Sequence, residues 1–177
     1  MGEKEAALEL ETRRNIFAYV SKYPGCHMRK IQRDLDLGMG QAEYHLNFLE
    51  EQELLASQTS GNKKRYYVAD EVHYPHRKVL GILRQNVPRN IILIVLENQP
   101  LSFGDILNQL DISKSTLSFH LKKLEKAGIL KVVKEGRQKV YAVKDHKNMV
   151  QILITYRSSF LDNAVERFID TWTEVKP

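Results

Sequence analysis

The residues that could perform covalent or metal chemistry are few and poorly spaced for it. Cys26 is the single cysteine among 177 residues, which excludes an intrachain disulfide framework and a multi-thiolate metal site. His73 and His76 have the spacing of two metal ligands, but no third ligand cluster accompanies them, so they are assigned to a linker rather than to zinc. No nucleophile–base constellation, phosphate-binding glycine loop or metal cluster is present in the sequence. The expectation is therefore a protein that is not an enzyme, with no catalytic residue, metal or cofactor. What remains is a run of short hydroxyls interleaved with lysines, Ser113-Lys114-Ser115-Thr116, followed by Ser118-Phe119-His120 and Lys122-Lys123. Small hydroxyls can approach base edges closely, and lysines neutralise phosphates. That chemistry suits nucleic acid, although lysines on an amphipathic helix are usually a solvated face, and their place in the fold decides between the two.

Such residues must be held by a scaffold, and the scaffold is duplicated. A shift of 75 residues aligns Arg14–Asp70 with Arg89–Asp145 over 57 positions without a gap, and 17 of them are identical. Ordinary residue usage would give only about three or four. Each copy reads as three helices followed by a hairpin. In the second, Ile91, Ile92, Val95 and Leu96 recur at helical spacing, and a second helix covers about 103–110. Ser113 suits the N-cap of a third helix whose inward face is Leu117, Leu121 and Leu124, and Gly128 suits its C-terminal stop. Two alternating segments, about 129–134 and 139–143, then make a hairpin. His45 and His120 share one repeat position beside a core leucine, where a structural or phosphate-bonding role is expected. Cys26 aligns with Leu101 and reads as a small buried hydrophobe.

Helix, helix–turn–helix and two-stranded wing is the winged-helix order. The run from Ser113 to Leu130 resembles the recognition-helix signature of ArsR-type (arsenic-repressor) regulators. Gly40-Gln41-Ala42-Glu43-Tyr44-His45-Leu46, with Pro24-Gly25 and the basic Gly61-Asn62-Lys63-Lys64-Arg65-Tyr66-Tyr67, is similar to the archaeal branch of that family. The resemblance implies a DNA-binding transcription regulator. Metal-sensing members carry paired cysteines, absent here, so the resemblance does not extend to metal sensing by that route. A second departure is aromatic: Tyr44 and Phe119 stand where the family usually has a basic or polar residue.

A winged helix lays its third helix in the major groove while the wing touches backbone or minor groove. On that basis the DNA-binding residues expected in the second domain are Ser113, Lys114, Ser115, Thr116, Ser118, Phe119, Lys122 and Lys123 on the helix. Lys134, Arg137, Gln138 and Lys139 follow on the wing. In the first domain they are Arg29, Lys30, Arg33, Gln41, Tyr44, Asn47, Lys63, Lys64 and Arg65. The recognition-helix window carries +2 over residues 113–125 but −2 over 38–50, where Glu43 and Glu50 stand. The second domain is therefore expected to be the main DNA reader.

The expected class is mainly α with small β-hairpin wings (α+β), as two tandem winged helix–turn–helix domains plus a C-terminal helix. The first domain covers residues 1–70, a partly helical linker 71–88, the second domain 89–145, and the C-terminal helix 146–177. The tail shows a broad apolar face and no net charge. Leu153, Tyr156, Phe160, Leu161, Val165, Phe168 and Trp172 are assigned to homodimerisation, with packing on its own domain as the alternative. The formal charge of +5 divides into −2 for residues 1–13, +1 for the first repeat, +2 for the linker and +4 for the second repeat. No signal peptide or membrane-length apolar run is visible, so a cytoplasmic protein is expected. The expected partners are double-stranded DNA and a second copy of the chain, with no membrane; no effector can be read. The competing reading is a tandem winged-helix scaffold for protein interactions, favoured by the acidic third helix of the first copy.

Overall fold

The computed structural model describes residues 6–60, 62–72, 74–136, 138–157, 160, 165 and 168–171. It divides into two compact units, residues 1–84 and 85–177. The first contains α1 (Glu11–Lys22), β1 (Cys26–His27), α2 (Met28–Asp34), α3 (Met39–Glu51), β2 (Leu55–Ser60), β3 (Lys63–Val68) and α4 (Tyr74–Leu83). The second contains α5 (Asn86–Asn98), β4 (Leu101–Ser102), α6 (Phe103–Asn108), α7 (Lys114–Lys126), β5 (Leu130–Glu135), β6 (Gln138–Val143) and α8 (His146–Thr155). Both units are winged helix–turn–helix folds, mainly helical with a small antiparallel sheet.

The 75-residue repeat recurs in the hydrogen-bond register. Leu55 pairs with Val68 and Ser60 with Lys63, and in the second unit Leu130 pairs with Val143 and Glu135 with Gln138. Each wing also has a short third strand. Cys26 pairs with Tyr66 and His27 with Arg65, as Leu101 pairs with Tyr141 and Ser102 with Val140. Two-residue strands give no periodicity to read, which is why only a hairpin is expected from sequence.

Apolar spacing builds the cores. In the first unit Ile16, Val20, Ile31, Leu46, Leu49, Leu55 and Tyr66 form one buried cluster. Six of the seven matching positions of the second, Ile91, Val95, Ile106, Leu121, Leu124 and Leu130, are buried as well, and the seventh, Tyr141, is half-buried. The third helices end alike. Leu54 N–H bonds Leu49 O and Ile129 N–H bonds Leu124 O, each at 3.0 Å, the six-to-one bond of a Schellman cap. The left-handed residue at that cap is Gly128 (φ +74°) in the second unit and Glu53 (φ +53°) in the first.

Two segments differ from expectation. The helix inside the 71–88 stretch, expected as a linker between the domains, packs within the first unit. Tyr67 Oη donates to Arg77 O at 2.7 Å, Arg77 Nη2 donates to Ala69 O at 2.7 Å, and Arg84 Nε donates to Pro24 O at 2.9 Å. The division falls between Arg84 and Gln85. The tail helix, expected to run on unbroken, stops at Thr155 with Tyr156 as its cap, and Phe160 N–H turns back onto Arg157 O. Among the described residues no single helix is long and apolar enough to cross a membrane.

Candidate nucleic-acid interface

In the second unit the candidate interface lies on α7. Ser113 Oγ accepts the Thr116 backbone N–H at 3.1 Å, satisfying one of the amides left free at the start of the helix. The same oxygen lies 2.9 Å from Ser115 Oγ and 2.8 Å from Thr116 Oγ1, so the hydroxyls form one local network. Leu117, Leu121 and Leu124 are buried beneath it. Outward, Ser113, Lys114, Ser115, Phe119 and Lys122 are exposed, and Thr116 and Ser118 are half-buried. Lys123 is half-buried and donates to Gln85 Oε1 at 2.7 Å, so it is turned toward the base of the domain. On the wing Lys134, Gln138 and Lys139 are exposed, and Arg137 lies outside the described residues. Lys134 and Lys139 stand directly opposite one another in the register. Like charges so placed are destabilising on their own.

The first unit keeps the geometry and loses much of the free charge. Gly38 caps α3 with no side-chain bond. Gln41, Tyr44 and Asn47 are exposed on that helix, with Arg29 and Arg33 on α2 and Lys63 and Lys64 on the wing. A groove of about 580 Å³ between them is lined by Arg29, Arg33, Asn47, Lys63 and Lys64, joined by His27 and Asn62. Carboxylates hold several of these cations. Lys64 Nζ lies 2.6 Å from Glu50 Oε2, Lys30 Nζ 2.7 Å from Asp34 Oδ2, and Arg33 Nε 3.1 Å from Asp34 Oδ1. In the second unit Lys114, Lys122, Lys134 and Lys139 have no such partner among the described residues.

Arg65 is corrected. It is 5% exposed, and its Nη1 donates to Gly25 O at 2.8 Å. Its repeat partner is Val140, also buried, so this strand position faces inward in both units. A guanidinium held there serves the fold and is not available to phosphate. Four of the seven residues assigned to dimerisation are corrected on the same ground. Leu153, Phe160, Val165 and Phe168 are buried within the single chain, and a side chain already out of water gains little by meeting a partner. Tyr156 is half-buried, and Leu161 and Trp172 lie outside the described residues.

His27 is the site residue that spacing did not reveal. Its Nδ1 accepts the Lys30 N–H at 3.3 Å, capping α2, and Ser102 caps α6 at the same repeat position. The alignment of His27 with a good capping residue was the available signal. Burial lowers its pKa, and Lys63, Arg65, Lys30 and Arg33 lower it further. His45 and His120 are likewise held toward the neutral form, by burial first and then by Arg13 and Lys123 respectively. Burial pushes the Cys26 thiol up to about 12, as a small core residue requires. His73 of the histidine pair lies outside the described residues, among which no group of three or more His, Cys, Asp or Glu side chains could hold a metal.

A family model described as an N-terminal HTH domain matches residues 10–80, and the model for bacterial regulatory proteins of the arsR family matches residues 87–132. The chain is a tandem helix–turn–helix protein similar to ArsR-family regulators. This tandem protein is 32% identical over 143 residues to an HTH-type transcriptional regulator of Methanocaldococcus jannaschii. The match takes in 81% of this chain but 36% of the relative, so the chain spans about a third of that protein's length. Among solved structures it is similar to HlyU of Vibrio cholerae, at 25% identity and a TM-score of 0.42, over 47% of this chain and 89% of that one. A possible HxlR family transcriptional factor of Thermoplasma volcanium matches at 24% identity and a TM-score of 0.37, over 59% of this chain and 94% of that one.

Proposed function

We propose that the protein is a sequence-specific, double-stranded-DNA-binding transcription regulator that acts in the cytoplasm without catalysis or cofactor, with its second unit as the main reader. The observation that carries this is the contrast in free charge. Lys114, Lys122, Lys134 and Lys139 are exposed and have no carboxylate partner among the described residues, whereas Lys30, Arg33 and Lys64 of the first unit are held by Asp34 and Glu50. Two lysines facing each other across the wing cost stability, and a phosphate between them relieves that repulsion. Ser113, Ser115 and Ser118 supply short donors and acceptors for base edges, and Lys122 reaches backbone. The first unit contributes through Arg29 and Lys63.

The active species in this reading is a homodimer on an approximately palindromic operator, since a two-fold protein matches two-fold half-sites. Its contacts come from side chains other than the four buried tail residues. The test pairs two double variants on a duplex selected by the full-length protein. Lys114→Ala with Lys122→Ala should weaken binding more, and reduce the salt dependence more, than Arg29→Ala with Lys63→Ala. Equal effects reject the second unit as leader, and no effect from either set rejects the interface. Analytical ultracentrifugation of the complex decides the stoichiometry: one chain per operator refutes the dimer.

A further inference from the structure

The two third helices present an aromatic ring at one shared position, and neither fold explains it. Phe119 is 64% exposed and Tyr44 is 61% exposed. At 3.6 residues per turn each ring lies about 190° from the centre of its buried leucine stripe, so it occupies the middle of the outward face. Around Phe119 that face carries Ser115, Lys122 and Lys126; around Tyr44 it carries Gly40, Asn47 and Glu51. Each ring meets the following histidine edge-on, at 5.1 Å between centroids in both units. The buried His45 and the half-buried His120 thus steady a ring whose other side faces solvent. Leaving an aromatic in water gains nothing for the fold, and the duplication has kept one there twice.

We infer that Phe119 and Tyr44 are specificity-determining residues that read the 5-methyl group of thymine in the major groove. The inference rests on the proposed reading of duplex DNA by these helices. Of the four bases only thymine offers an apolar group in that groove, and an aromatic side chain is a suitable partner for it. The polar surroundings suit the site: Ser115 and Lys122 can reach neighbouring base edges and phosphates beside Phe119, and Asn47 can do so beside Tyr44. Burial of one methyl accounts for a three- to fivefold preference, to order of magnitude. The ring hydroxyl of Tyr44 adds a hydrogen-bonding edge that Phe119 lacks, so the two units need not prefer the same flanking bases.

The experiment uses the full-length protein and a duplex that it selects from a random pool. That duplex is then rebuilt with deoxyuridine in place of thymidine, one position at a time, which removes the methyl and leaves base pairing intact. The expected result is a roughly three- to fivefold loss at one or two positions. Phe119→Ala should abolish the loss at its position while binding the thymine duplex more weakly, and Phe119→Leu, which keeps an apolar contact, should retain it. Tyr44→Ala should act at a different position. A duplex bound equally well with thymine and uracil at every position overturns the inference and leaves duplex recognition standing. Failure to select any duplex overturns the DNA reading itself. Equal or tighter binding of the single strand of the same sequence overturns the inference in favour of stacking on unpaired bases.

Discussion

The repeat supplies its own control for how the third helix is held in place. Gly38 and Ser113 occupy the same cap position, 75 residues apart. Ser113 Oγ accepts the Thr116 N–H at 3.1 Å, whereas Gly38 offers no side-chain bond to its helix. Ser113→Ala leaves that amide unsatisfied at a helix start and should cost about 1 kcal/mol. That corresponds to a fall of about 4–8 °C in the midpoint of the transition containing a unit of this size. Gly38→Ser should act with the opposite sign. Gly38 sits at φ −62°, ψ 149°, an ordinary extended conformation, and an added Cβ meets nothing nearer than Gln41 Cβ at 4.0 Å. A serine there can accept from the Gln41 N–H as Ser113 does from Thr116. It also removes the glycine's freedom in the unfolded chain, for a gain of about 0.4–1 kcal/mol. Thermal denaturation of the full chain, followed by circular dichroism, measures both. A Ser113→Ala variant with the wild-type midpoint, or a Gly38→Ser variant that loses stability, refutes this account of the caps.

The other end of the same helix gives a second pair. Glu53→Gly should stabilise the protein by about 1 kcal/mol, because Glu53 holds the left-handed conformation that Gly128 holds in the second unit; Gly128→Ala should destabilise by a similar amount, both read by denaturant midpoint. The Cys26 thiol, buried and pushed up to about 12, should resist a thiol-reactive dye in the native state and react in denaturant; rapid native labelling would contradict its burial. His45 and His120 have folded pKa values below the ordinary one, so the unfolded chain takes up their protons first as pH falls. Their contribution is full above about pH 6.5 and declines below it, and stability should rise with pH through that window. Substituting leucine for both should flatten that part of the curve, measured by denaturation between pH 5 and 7; an unchanged slope would show that they do not carry it.

Much of the fold was legible because the chain states it twice. Identical leucines at matched spacing mark both third helices, and Ser113 and Gly128 bracket one of them with the right chemistry at each end. The third wing strand was not legible, since Cys26–His27 and Leu101–Ser102 are too short to alternate. Arg65 looks like a surface cation by charge, but the strand register turns it inward. Its partner Val140 places that position inside, and the helix at 74–83 lies over it: a Cβ on Gly81 would come within 3.2 Å of Arg65 Cδ. Periodicity in the tail showed an apolar face but not what covers it, and Phe160, Val165 and Phe168 proved to be buried in the chain itself. Among candidate site residues, exposure of Ser115, Lys114 and Lys122 on α7 followed from the helical period, whereas the turn of Lys123 toward Gln85 did not. The pairing of Lys30, Arg33 and Lys64 with carboxylates did not, because it depends on contacts between elements.

The most direct test is the affinity of the full-length protein for its selected duplex as a function of salt. If Lys114, Lys122, Lys134 and Lys139 of both protomers each neutralise a phosphate, log K against log[salt] has a slope of about −7.2, and with Arg29 and Lys63 added about −10.8. The account predicts a slope between these values, an affinity loss on the order of 10⁴- to 10⁶-fold from 50 to 200 mM. It also predicts a reduction of roughly three to four in the slope for Lys114→Ala with Lys122→Ala. A flat salt response, or a slope that those two substitutions leave unchanged, would contradict it.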